Sequence, residues 1–226
     1  MPPSLILNRR TFGRLAGGGV ALALNPAWAA QPSLLASVPQ RRLVFDVYGL
    51  DRTIGSHEVT IDGSPDAFVV RSEVDIEVRV LGLSLYTYRH SGVETWRRDR
   101  LSAFASTTVS DERSEKVSGR ATKDGFEVKG RQGVVVAPAG IMVGSFWTQR
   151  IMAQTVVLDP QKGTLEKQVV HSRERTTWPV DGKPRPVTRY QISSVLDGDI
   201  AYDDGGRWVG ARFRKKNTDI EYRLRA

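Results

Sequence analysis

The residues that could do chemistry are few, and their spacing limits what they can do. The chain has 226 residues, three histidines and no cysteine. That excludes disulfides, thiolate metal sites and cysteine nucleophiles. None of His57, His90 and His171 lies at a short metal-ligand spacing from another. A zinc centre would have to assemble from distant strands; taken singly, each reads as an ordinary strand residue, and no metal ligand is assigned. Asp197, Asp199, Asp203 and Asp204 form the densest acidic cluster. A calcium loop needs oxygen ligands at alternate positions and an acid at the twelfth. Here Ala201 interrupts the series and the twelfth position is Trp208, so the cluster reads as two hairpin turns. A nucleophilic serine wants a Gly-x-Ser-x-Gly elbow. Gly82-Leu83-Ser84 and Gly144-Ser145 both lack the second glycine. Glu73, Asp75 and Glu77 share a strand face with Arg71 and Arg79, which makes a wet, charge-balanced surface. The glycine-rich run, Gly17 to Gly19, lies in a leader segment and cradles no phosphate. No catalytic residue and no cofactor is assigned, and the expectation is a protein that is not an enzyme.

Aromatic and methionine residues carry the remaining signal. Tyr86, Tyr88, Met142, Phe146, Trp147 and Met152, with Trp96 and Phe104, could line an apolar cavity between a curved sheet and one helix. The plainer alternative is that they fill the core.

The elements that must position these residues are strands. From Ala67 to Val80, Phe68, Val70, Val74, Ile76, Val78 and Val80 alternate with Arg71, Glu73, Asp75, Glu77 and Arg79. That is a strand with one buried and one wet face. At 3.3 Å per residue it spans about 46 Å, long enough to coil around a core. Strands are also predicted over Arg42 to Tyr48, Thr53 to Ile61, Leu83 to His90, Val93 to Arg98, Leu101 to Ser110, Lys116 to Thr122, Phe126 to Lys129, Leu165 to Thr177, Val187 to Leu196, Ile200 to Tyr202, Arg207 to Arg214 and Asp219 to Leu224. At Leu81-Gly82-Leu83 the apolar phase slips, which marks a bulge or a tight turn. Ile141 to Thr155 is the helix candidate, and Pro179 to Pro186, with three prolines, reads as a loop. With neighbouring ranges able to run on as one strand, as Leu83 to His90 would from a bulge, about ten to twelve strands with turn signals between them give a mainly β fold, an antiparallel open or half-closed β-barrel with one short helix.

The N-terminus carries an address. Arg9-Arg10-Thr11-Phe12 sits in an acid-free segment, a weak apolar run follows from Leu15 to Leu24, and Ala27-Trp28-Ala29 offers a cleavage site. The segment resembles a twin-arginine signal peptide, with Arg9, Arg10 and Phe12 matching the motif. It is too short and too glycine-rich to span a bilayer. The chain is therefore expected to divide into a cleaved leader (1–29), a tether (30–40) and one β-rich domain (41–226). Cutting after Ala29 removes three arginines and no acid, which lowers the net charge from +8 to +5. The remaining charges are interleaved, and no basic-aromatic module points to nucleic acid.

The mature chain resembles a family of uncharacterised exported proteins of Gram-negative bacteria, classed as a domain of unknown function. The matching residues are Phe45-Asp46-Val47-Tyr48 with Ile54-Gly55, Leu81-Gly82 with Tyr86 and Tyr88, Glu94-x-Trp96 with Arg100-Leu101, Ser145-Phe146-Trp147, Leu158-Asp159-Pro160-x-x-Gly163, Arg189-Tyr190 and Asp204-x-Gly206-Arg207-Trp208-Val209. The resemblance supplies no catalytic residue. In outline it is similar to the half-barrels that carry lipids or lipoproteins across the periplasm. The expectation is a soluble periplasmic protein, delivered by the twin-arginine machinery, that binds or carries a lipid or other apolar ligand. Met142, Phe146, Trp147 and Met152 would form the apolar wall, and Tyr86 and Tyr88 the amphipathic part. The alternatives are an envelope module that recruits a protein partner through a strand edge, and a metal-dependent enzyme built on one histidine.

Overall fold

The computed structural model describes Leu34 and residues 41–225 apart from 81, 82, 112, 181 and 216. The expected leader, with Arg9, Arg10 and Phe12, lies outside the described residues, as does the tether except for Leu34. Leu34 is buried, and its backbone N–H donates to Asp99 Oδ1 at 2.8 Å.

The first eight strands form an antiparallel meander: β1 (Arg42–Gly49), β2 (Arg52–Ser64), β3 (Ala67–Val80), β4 (Leu83–Arg97), β5 (Arg100–Ser110), β6 (Arg113–Thr122), β7 (Gly125–Gly130) and β8 (Gly133–Ala137). Residues 138–168 leave the sheet and carry a 3-10 turn (Gln149–Ala153) and a small hairpin, β9 (Val156–Leu158) with β10 (Leu165–Lys167). A second meander follows: β11 (Val169–Val180), β12 (Lys183–Ser193), β13 (Asp197–Tyr202), β14 (Trp208–Lys215) and β15 (Thr218–Leu224). β15 pairs with β1, so the two meanders fuse into one thirteen-stranded antiparallel sheet. The sheet does not close; β8 and β11 are its edges.

The long strand takes the expected limits. Phe68, Val70, Ser72 and Val74 are buried on the inner face, with Arg71, Glu73 and Asp75 exposed. Register carries this pattern across the sheet. Ile61 faces Val70, Val70 faces Glu94, Glu94 faces Phe104, and Phe104 faces Gly119. At the phase slip Val80 pairs with Leu83, so the chain reverses there, and the register also shifts between Val78 and Arg79. Leu83 to Arg97 is one strand rather than two.

Two expectations are corrected. The Ile141 to Thr155 segment is not an α-helix; its helical part is the five-residue 3-10 turn, capped by Thr148. Pro179 to Pro186 is not a loop but part of the β11–β12 hairpin, in which Pro179 faces Pro184 and Thr177 faces Pro186. Proline removes a ladder donor and is tolerated where a strand has a free side. β12 has one there, because β13 pairs only with Thr188 to Ser193.

Residues 138–168 fill the inner side. Trp147 stands edge-on to Phe68 and to Trp96, each with ring centroids at 5.8 Å, and Ile141, Ile151, Val157 and Leu158 are buried beside it. The second meander is also covered on its outer face. Trp178 of β11 packs on Gly210 of β14, where a Cβ would come within 2.3 Å of the indole Nε1, and Arg212 lies over the same indole at 4.3 Å. Among the described residues no helix is long and apolar enough to cross a membrane.

Candidate functional site

Glu94 is the one acid on the inner face of the row that joins Ile61, Val70 and Phe104, and it is 3 % exposed. Three donors converge on it. Ser145 Oγ donates to Oε1 at 2.6 Å; Trp96 Nε1 and Trp147 Nε1 donate to Oε2 at 2.9 and 3.2 Å. A buried carboxylate without a cation is costly unless its lone pairs are satisfied. Burial is the larger effect here and pushes the carboxyl up to about 7, with the three hydrogen bonds opposing it. The group therefore sits where it can exchange a proton near neutral pH. Sequence reasoning gave Glu94 no role, although it shares its strand parity with His90 and Trp96. Two short motifs named separately, Glu94-x-Trp96 and Ser145-Phe146-Trp147, meet at this carboxylate.

A second set of bonds holds the other end of the inserted segment. The buried Asp159 carboxylate accepts from the N–H groups of Gln161 and Lys162 at 2.7 and 3.0 Å and from Lys162 Nζ at 3.0 Å. Gly163 follows with φ 70°, a left-handed conformation that suits glycine. Ser106 Oγ of β5 donates to Pro160 O at 2.6 Å. The Asp-Pro-x-x-Gly motif is thus a loop clasp. Between the two anchors, Tyr202 OH of β13 donates to Phe146 O at 2.9 Å, and Phe146 itself has φ 58°.

The buried histidines form a polar strip on the inner face. His57 Nε2 lies 2.7 Å from Ser72 Oγ, and His90 Nδ1 lies 2.7 Å from Thr108 Oγ1. Burial holds His57 down to about 3, with the nearby His90 contributing, and His90 down to about 4. The His57–Ser72 spacing is that of a base and a nucleophile. However, the imidazole packs edge-on between Trp208 and Tyr222, and its Nδ1 has no partner among the described residues. His171 is exposed and bonds Ser193. No group of three or more metal-ligating side chains gathers among the described residues.

A cleft of about 620 Å³ opens between the 3-10 turn and the second meander. Its apolar wall is Met152, Val170 and Tyr190; Arg150 and Arg173 supply guanidinium groups, Asp204 adds a carboxylate that is paired with Arg175, and Gln149 Nε2 donates to Tyr190 OH at 2.9 Å. The Arg173 guanidinium lies over the Tyr190 ring at 5.8 Å, and the neighbouring Glu174 pairs with Arg189 instead. Arg150 is 3.5 Å from Asp99. With Arg150 paired to Asp99 and Asp204 to Arg175, Arg173 is the cation that stands beside the apolar wall, an arrangement that suits an amphipathic anion.

The six residues expected to form one binding wall occupy three surroundings. Met142, Phe146 and Trp147 are buried, at 5 %, 5 % and 1 % exposure, in the packing between the insert and the sheet. Met152 borders the cleft. Tyr86 and Tyr88 are half-buried opposite Val78 and Ile76. Tyr88 is eight residues along β4 from Trp96, the indole against which Trp147 packs, a separation of about 27 Å. Burial raises the Tyr88 phenol above its ordinary value, with Tyr222 and Tyr86 adding to the effect.

A family model described as a domain of unknown function, DUF6134, matches residues 45–225. No curated protein matches the chain. Among solved structures, the chain is similar to a β-barrel-like protein of domain of unknown function DUF1849 from Brucella abortus. The TM-score is 0.57 at 12 % identity, covering 81 % of this chain and 94 % of that one. At that identity the likeness concerns the fold.

Proposed function

Since the chain belongs to the DUF6134 family, a domain of unknown function, we propose from its site that it is an exported periplasmic protein that binds and carries an amphipathic anion, such as a fatty acid or an acidic lipid. The observation that carries this reading is the cleft, where Met152, Val170 and Tyr190 face the same space as Arg150 and Arg173. Its volume of about 620 Å³ falls within the usual range for small-molecule sites. A guanidinium stacked on an aromatic ring is held in place and keeps its donors free for a carboxylate or phosphate. A half-barrel fold is compatible with such a role. The twin-arginine-type leader supports the compartment.

Two experiments test the two halves of the proposal. Protein purified from the periplasm is extracted and the extract analysed for lipids, and a fluorescent fatty acid is titrated into stripped protein. Arg173→Glu is expected to weaken binding by about tenfold or more, since a charge-assisted hydrogen bond contributes about 1.5–3 kcal/mol, with the melting temperature unchanged. An extract free of apolar molecules, together with equal binding by the variant, overturns the ligand reading. For the compartment, residues 1–35 are fused to a reporter that works only after folded export. Export is expected and should fail when Arg9→Lys and Arg10→Lys are combined; export that persists in the double variant overturns the twin-arginine route.

A further inference from the structure

We propose that the β8 edge of the sheet pairs with the β8 edge of a second copy of this chain, antiparallel and about a two-fold axis at Val135. β8 ends the sheet, with β7 as its one neighbour. Gly130 faces Gly133 across the two-residue turn Arg131-Gln132. In such a hairpin the pair flanking the turn is hydrogen-bonded, and bonded pairs then alternate. Val135 and Ala137 accordingly bond to β7, while the N–H and C=O groups of Val134 and Val136 point away from it. The same two valines are 61 % and 56 % exposed, among the largest exposures of any apolar side chain described.

Two such edges are complementary to each other. When Val134 of one copy faces Val136 of the other, both outward-bonding residues meet outward-bonding residues, and Val135 faces itself. An isologous contact of this kind closes at two copies. On the same face Lys129 lies beside Val134 and Glu127 beside Val136. Each cross-copy row therefore begins with Lys129 of one copy and ends with Glu127 of the other, opposite in sign. The other edge is guarded in the usual way: β11 carries Arg173, Glu174, Arg175 and Pro179. β8 has neither a charge nor a proline within it.

The chain contains no cysteine, so single thiols report the register cleanly. Val135→Cys should give a covalent dimer under mild oxidation, because facing residues of a non-bonded pair have Cα atoms about 4.5 Å apart. Val136→Cys, displaced from its own counterpart, should cross-link much more slowly. Sedimentation of the unmodified chain should show a dimer fraction that grows from about 1 to about 100 µM, as suits a short edge. Val134→Lys with Val136→Lys should abolish it while the far-ultraviolet spectrum stays unchanged. A monomer throughout that range, a dimer untouched by the double lysine variant, or Val136→Cys cross-linking as fast as Val135→Cys overturns the proposal. A monomer whose β8 accepts a strand from a different protein counts as the first of these.

Discussion

Glu94 shows how one side chain can tie stability to pH. Its carboxyl titrates near 4.5 ordinarily and at about 7 in the fold. Between those values the folded protein keeps a proton that the unfolded chain has released. Its contribution is therefore full below about pH 4.5 and lost as pH rises to about 7. His57 and His90 act in the opposite sense. Their ordinary value is 6.5 and burial lowers them to about 3 and about 4, so their contribution is full above 6.5 and lost on acidification. The sum places maximum stability near neutral pH, with a steeper fall on the acid side. Glu94→Gln removes one limb. Its stability relative to the unsubstituted chain should drop by about 3 kcal/mol on going from about pH 8 to about pH 4.5, read from urea unfolding at both pH values. Parallel curves would show that the carboxyl does not titrate in this range. The residue was legible by parity alone, since it falls in phase with Trp96. What made it a buried acid was invisible, because Ser145 and Trp147 reach it from fifty residues away.

At the scale of elements, the inserted segment has a short backbone ladder of its own, β9 with β10 and a bridge between Val143 and Leu158, and side chains from the sheet tie it down. Tyr202→Phe removes the hydroxyl that bonds Phe146 O and should cost about 1 kcal/mol. The expected outcome is faster proteolytic nicking within residues 141–155 at an unchanged sheet signature; equal nicking rates would show that Tyr202 does not hold the segment. Local pattern read the strands well. β3 has the limits its alternation predicted, because period two on a half-buried strand reports burial directly. The insert was misread as a helix for an equally physical reason. Met142 and Phe146, and Trp147 and Ile151, are each four apart as on a helix, yet Phe146 packs toward Trp208 and Trp147 toward Phe68 and Trp96. A positive φ at Phe146 breaks the periodicity. Four of the six expected wall residues, Met142, Phe146, Trp147 and Met152, were expected on that helix, facing Tyr86 and Tyr88 on a strand; without the helix the six separate into core, cleft and distal strand. The prolines of the β11–β12 hairpin misled in the same way, since a free strand side is a property of the sheet and not of the segment.

For the whole molecule, the mainly β class and the open barrel were legible because turn signals recur at strand spacing. The strand order was not, because nothing local says that Phe45 faces Leu224 or Val47 faces Tyr222. This seam joins the two meanders, and it covers Phe45 and Val47, both fully buried. Removing β15 by ending the chain after Lys215 should leave two half-sheets with exposed apolar edges. The expected readout is loss of a cooperative thermal transition together with dye-accessible apolar surface; a sharp transition near the original temperature would show that the seam is dispensable.

That seam also imposes an order in time. β1 waits for β15, so a ribosome must deliver every strand between them before the sheet can be completed. Until then the nascent chain holds two unfinished halves, each with an apolar edge that only the joining of β15 to β1 covers.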